Sequence, residues 1–243
     1  MKNVFREHLE VGIKFFEKYK ILIIGGVGLC IILGGGFFLY KWRSGNIEQK
    51  AQLAFVESLN YFNAKVKSPD LKTDQLSIDD IELFATNEEK WSRVVDVFEK
   101  AFGEHSSSSL APLFIAIKSE GLIHLGKLDE AISSLEKVVG DIKNDDVQDL
   151  YQVKLGMMQL DSSSGDVHNV GVERLRKVAE KSNSAANDLA LYRLGEYYWT
   201  KNDFTSAKNY WNQLTLRFGS KTKDPSEWAN LASDKLKLIE EKV

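Results

Sequence analysis

One cysteine in 243 residues, Cys30, leaves no partner for an internal disulfide and no thiolate cluster for a metal. Three prolines are few, and plentiful Leu, Ala, Glu and Lys favour helices over sheets. No Asn-x-Ser/Thr acceptor occurs, which argues against a glycosylated lumenal protein. The histidines, His8, His105, His124 and His168, are scattered, with no His-x-x-x-His pair and no carboxylates at ligand spacing. The glycine clusters sit inside an apolar run instead of following a strand, so no phosphate-cradling loop is in place. Serine runs at 106–109 and 162–164 have no nucleophile-elbow context. These gaps argue against an enzyme, and neither a cofactor nor a small-molecule substrate is expected.

Acidic charge is scarce at one end. Residues 1–43 hold seven Lys/Arg against three Glu, while the remainder carries 25 basic and 32 acidic side chains. An acidic main body repels phosphate backbones, so nucleic acid is not an expected partner.

What is present begins with ILIIGGVGLCIILGGGFFLY at 21–40, which contains no charge. Twenty helical residues span about 30 Å, the thickness of a bilayer's hydrocarbon core. Lys18 and Lys20 flank one end, and Tyr40, Lys41, Trp42 and Arg43 the other, as interfacial anchors do. The expectation is a transmembrane helix. A cleaved signal peptide would need a cleavage site at Gly34–Gly36, but the tail ahead is twenty residues long and apolar character continues through Leu39. A lipoprotein reading fails on Leu29, which stands where a small residue should precede Cys30. Five Lys/Arg in the tail place the N-terminus in the cytoplasm and the C-terminal body across the membrane, in the periplasm of a bacterium. Gly25, Gly28, Gly35 and Gly36 fall near one face, where a second helix could pack closely. The ordinary tolerance of glycine in membrane helices accounts for them equally well. The tail at 1–20 has an apolar stripe of Val4, Phe5, Leu9, Ile13 and Phe16 that suits either an interfacial helix or a solvated segment.

Beyond the anchor the chain repeats. In LYRLGEYYWTKNDFTSAKNYW, Leu191, Leu194 and Tyr198 share a helical face, a tight turn follows at 202–203, and Ala207, Trp211 and Leu214 form the next stripe. An earlier copy runs IAIKSEGLIHLGKLDEAISSLEKVV from 115, with Ser119, Leu122, Ala131, Leu135 and Val138 in register. A third has Leu155-Gly156, Gly171, Leu175 and Val178, with a longer turn at 161–170. Ala131, Gly171 and Ala207 stand 40 and 36 residues apart. The pattern resembles the tetratricopeptide repeat, whose period is about 34. Upstream, a helix from Ile47 to about Val66 pairs with WSRVVDVFEKAFGE at 91–104, and Ser226–Glu241 closes the series. The expected architecture is all-α: a tail at 1–20, a transmembrane helix at 21–40, a solenoid of about four helix pairs at 47–220 and a capping helix at 224–243.

Such a solenoid binds with its first helices. Tyr192, Glu196 and Trp199 point away from the packing stripe of the last repeat. The equivalent residues earlier are Ala116, Glu120, Ile123 and His124, then Val153, Met157 and Leu160. The candidate partner-binding set is therefore Glu120, His124, Tyr192, Glu196 and Trp199, with core packing as the competing reading for Met157, Leu160, Tyr192 and Trp199. Tyr198 and Trp211 are expected in the core.

Over nearly its whole length the chain resembles the YfgM-like family of bacterial inner-membrane proteins. The resemblance rests on FFEKYKILIIGGVGLC, the following KW, LFATNEEKW, LDEAISSLEKV and LGEYYWTKNDFTSAKNYW. It implies a single-pass protein whose periplasmic repeat domain joins the protein-export channel and its membrane-anchored chaperones, helping exported clients fold. The longer 161–170 turn and the helix past 220 depart from that pattern. A scaffold for envelope assembly or cell division is the alternative use of the same groove.

Overall fold

The computed structural model describes residues 43–67, 84–181, 183–223 and 225–240. The amphipathic tail, the apolar span at 21–40 with the packing candidates Gly25, Gly28, Gly35 and Gly36, and the Ser-Pro-Asp stretch at 68–70 lie outside them. No helix among the described residues is long and apolar enough to cross a membrane. The chain divides into two compact units, Met1–Lys50 and Ala51–Val243, and the helical residues from Ala51 onward belong to the second.

Helices account for most of the described residues, in the order α1 (43–63), α2 (Asn87–Glu104), α3 (Ala111–His124), α4 (Leu128–Glu136), α5 (Asp145–Leu160), α6 (Gly165–Glu180), α7 (Asn187–Thr200), α8 (Phe204–Phe218) and α9 (Glu227–Glu240). A short 3-10 turn, Val139–Asp141, follows α4. Each helix packs on its successor: α3 on α4, α5 on α6, α7 on α8, with α9 closing over α8 and α7. The described residues contain no strand, only a single bridge between Val66 and Phe84.

The ends of these helices follow from local chemistry. Helix α2 begins at Asn87, four residues ahead of the sequence expectation, because Thr86 caps it. The Thr86 hydroxyl accepts from the Glu89 amide at 3.1 Å, and the Glu89 carboxylate accepts from the Ala85 amide at 2.9 Å. Thr86→Ala should cost about 1 kcal/mol, read as a shift of the urea midpoint without change of slope. Pro112 lies in the first turn of α3, where its missing N–H costs nothing.

The turns α3–α4 and α7–α8 share one geometry. Gly126 and Asn202 take left-handed φ values of 72° and 59°. Their amides donate to Ile123 and Trp199, and the next amides, of Lys127 and Asp203, donate to Leu122 and Tyr198 at 2.9 Å each. This is the paired 5→2 and 6→1 closure of a glycine-type helix stop. The α5–α6 turn contains no left-handed residue. There His168 Nε2 meets the Ser162 carbonyl, and the Ser162 hydroxyl accepts from the Ser164 amide. The long turn expected at 161–170 is in fact short: α6 already begins at Gly165, so residues 161–164 make the connection, a different device joining the same kind of helix pair.

Asp203 also caps α8, accepting from the Ser206 amide at 3.0 Å. Hydrogen bonds from Ser206 hold its carboxyl below the ordinary 3.8. A folded value below the unfolded one gives stability that is present above the unfolded value and lost as pH falls through the folded one. Between about pH 5 and pH 3 the melting temperature should therefore fall more steeply in the wild type than in Asp203→Asn, which caps without titrating.

Three buried clusters run along the solenoid. Phe98 and Phe114 with Val94 fill the α1–α3 end; Leu122, Leu135 and Leu155 fill the middle; Leu175, Leu191, Leu194, Trp211 and Leu214 fill the C-terminal end, where Ala229, Ala232 and Ile239 of α9 join them. Helices α5 and α6 cross backbone to backbone. A methyl at Gly171 would lie 2.7 Å from the Gly156 carbonyl oxygen.

Candidate protein-interaction site

The first helices of the pairs, α3, α5 and α7, carry the residues nominated for binding, and the fold sorts them unevenly. Glu120 on α3 pairs with Lys154 on α5 at 2.5 Å. It also bonds the Tyr151 hydroxyl. Burial first, then the Glu120 charge, pushes that hydroxyl well above the ordinary tyrosine range. One turn on, His124 is exposed but lies flat on Trp91 of α2, rings 3.8 Å apart and 6° from parallel. Lys90 caps the same indole at 4.6 Å. Glu120 and His124 thus share a face of α3 already engaged with neighbouring helices.

Tyr192 does not face a groove. It is 5% exposed, with its ring 5.2 Å from Trp228 of α9 and 6.4 Å from Trp211 of α8. The closing helix covers what would otherwise be an open face. Tyr198, expected in the core, is instead half-buried and stacked on Tyr210 at 5.5 Å. Trp199 is half-buried between Phe204 and Trp211, with Lys235 of α9 over its ring. Removing it disturbs packing, so Trp199→Ala should lower thermal stability, though by less than Trp211→Ala. Ala116 and Val153, from the same expected face, are fully buried.

What remains open lies between the C-terminal halves of α5 and α7. Met157, Leu160 and Tyr197 form the apolar part of a cavity of about 340 Å³, and Asp161, Arg193, Glu196, Thr200 and Lys201 form its polar part. The flexible Met157 and half-buried Leu160 suit segments of loosely specified shape. Arg193 is fixed from three sides: Nη1 donates to Glu196 at 2.7 Å, and the guanidinium lies 5.4 Å from the Trp228 ring and 5.8 Å from the Tyr192 ring. Its Nε is the one buried side-chain nitrogen or oxygen among the described residues without a hydrogen-bond partner. Of the sequence candidates, the cavity gathers Glu196, Met157 and Leu160, while Glu120 and His124 lie elsewhere on α3. The sequence reading missed Arg193, Tyr197 and Lys201. The Arg193–Glu196 spacing of three was the available signal, masked by the aromatics around it.

A family model for the tetratricopeptide repeat-like domain matches residues 14–227. The chain belongs to the tetratricopeptide repeat-like domain family. No curated protein and no solved structure matches it. Tetratricopeptide-like domains are protein-interaction modules, and the paired helices have the form of one. Among the described residues no group of three or more His, Cys, Asp or Glu is placed to hold a metal.

Proposed function

We propose that this protein is a single-pass, membrane-anchored interaction module of the bacterial inner membrane, its repeat domain in the periplasm, acting beside the export channel to assist newly exported proteins. The observation that carries this reading is the charge-free stretch 21–40, flanked by Lys and Arg and joined to a tetratricopeptide-like body. The family match runs from residue 14 and so covers this apolar stretch as well as the helical body. The α5–α7 cavity, lined by both apolar and charged side chains, is the surface we assign to clients.

The test is a photo-crosslinking residue at Tyr197, activated in intact membranes, followed by identification of the captured proteins. Exported chains or export-channel subunits are the expected products. If neither appears, the export reading fails; capture of envelope-assembly or division proteins would replace it with the scaffold reading. Orientation is checked separately with Lys143→Cys at an exposed turn. An impermeant maleimide applied to cells with a permeabilised outer membrane should label that thiol without inner-membrane lysis.

A further inference from the structure

A second cleft, of about 620 Å³, lies between α5 and α6 and shares no residue with the α5–α7 cavity. Its α5 wall is Gln148, Asp149 and Gln152; its α6 wall runs from Asn169 through Val170, Glu173, Arg174, Lys177 and Val178 to Lys181.

The floor is preorganised. Arg174 donates through Nε to Gln159 at 3.0 Å, through Nη1 to Gln152 at 2.5 Å and through Nη2 to Glu136 at 3.1 Å. Gln159 itself is 2% exposed. Three of the guanidinium's five N–H groups are used, which leaves two. Asp149, 5% exposed, accepts from Lys181 with its two oxygens, at 3.0 and 2.8 Å. Glu173 is taken by Arg176 at 2.6 Å. Asp145 and Asp146 add their charge to the surroundings of Lys181. Pairing these charges leaves Lys177 over: it makes no ion pair with the described residues, and it lines the cleft together with the half-exposed Val170 and the buried Val178.

The amides are poised for a backbone. Gln148 spends its NH₂ on the Gly140 and Ile142 carbonyls, at 3.0 and 3.1 Å, and so offers an oxygen. Gln152 spends its oxygen on Arg174 and so offers an NH₂. One acceptor and one donor a helical turn apart match the alternating N–H and C=O of an extended chain. From Asn169 to Lys181 the α6 wall runs about 18 Å, the length of about five extended residues.

We propose that the α5–α6 cleft binds a short extended peptide bearing carboxylates next to small apolar side chains, with Lys177 reading the acid, Val170 the apolar group and Gln148 and Gln152 the backbone. This rests on the chain being a protein-interaction module but needs neither the membrane nor the export channel.

The experiment uses the full chain in detergent micelles and a fluorescein-labelled, end-blocked pentapeptide alternating glutamate and valine, compared with its lysine counterpart by anisotropy. The glutamate peptide should bind at least tenfold more tightly. Lys177→Glu should abolish or reverse that preference; because Lys177 is an exposed cation in the last turn of α6, the melting temperature should fall only slightly, and binding is read well below it. Asn169→Asp, at another exposed wall position, should weaken glutamate-peptide binding in the same direction. Equal binding of the two peptides, or an unchanged preference in the two variants, would overturn the proposal. So would free glutamate or inorganic phosphate competing as well as the peptide does, since the cleft would then be an anion site only. None of those results touches crosslinking at Tyr197, so this proposal and the export reading fail separately.

Discussion

Trp211→Ala is expected to lower the free energy of unfolding by about 3–5 kcal/mol, enough to leave a domain of ordinary stability marginal. Trp211 is 0% exposed and makes three contacts with two neighbours on α7. Its ring lies 5.8 Å from Trp199 and 6.4 Å from Tyr192, and its Nε1 donates to the Tyr192 carbonyl at 3.2 Å. Tyr192 in turn supports Trp228 of α9. Truncation therefore opens a cavity at the point where α7, α8 and the closing helix meet, and it removes the donor of a buried hydrogen bond. Urea denaturation followed by far-ultraviolet circular dichroism reads the loss as a fall in midpoint at constant slope. A change below about 1 kcal/mol would show that this indole does not hold the C-terminal cluster together.

Gly195→Ala tests the same junction from the other side, and two physical arguments oppose each other over its sign. Helix propensity favours alanine by about 1 kcal/mol. Packing opposes it: a methyl at this position would lie 2.5 Å from Cδ1 and 2.6 Å from Cε2 of Trp211, far inside contact distance. An indole wedged between α7 and α8 has no free direction, so overpacking wins and the variant should lose about 1–3 kcal/mol. The decisive comparison is the double-mutant cycle. In a Trp211→Ala background the obstacle is gone and the added methyl fills part of the cavity, so Gly195→Ala should become neutral or stabilising there. Additive losses would mean that the glycine serves backbone geometry instead of making room for the ring.

That pairing marks the limit of the sequence reading. The repeat register marks Gly195 as a close-approach position and Trp211 as a core aromatic. It implies that the glycine brings two backbones together. Such an approach exists one repeat earlier, where Gly171 meets the Gly156 carbonyl. At Gly195 the space is filled by a side chain from fifteen or more residues away, which periodicity along one helix does not encode. Tyr192 shows the same limit. Its position on α7 marks it as facing away from α8, and that much is geometry of a single helix. Whether that face is open depends on where α9 lies, and α9 lies over it through Trp228. Local signals carried well where the chemistry is local: the tight turn expected at 202–203 closes through the left-handed Asn202, and the closing helix is found at Glu227–Glu240 against 226–241 expected.

The sequence by itself determined the all-α class, the order of the helix pairs and the charge asymmetry, because 3.6-residue periodicity and turn chemistry act over a few residues. Which polar groups are left with unused capacity was decided only by tertiary structure. Arg174 and Gln152, twenty-two residues apart, become floor and wall of one cleft when α5 and α6 pack, and Lys177 is left over only because Asp149, Glu136 and Arg176 take the neighbouring charges. Pairing of charges is a matter of distance in space, and a single sequence states distance only along the chain.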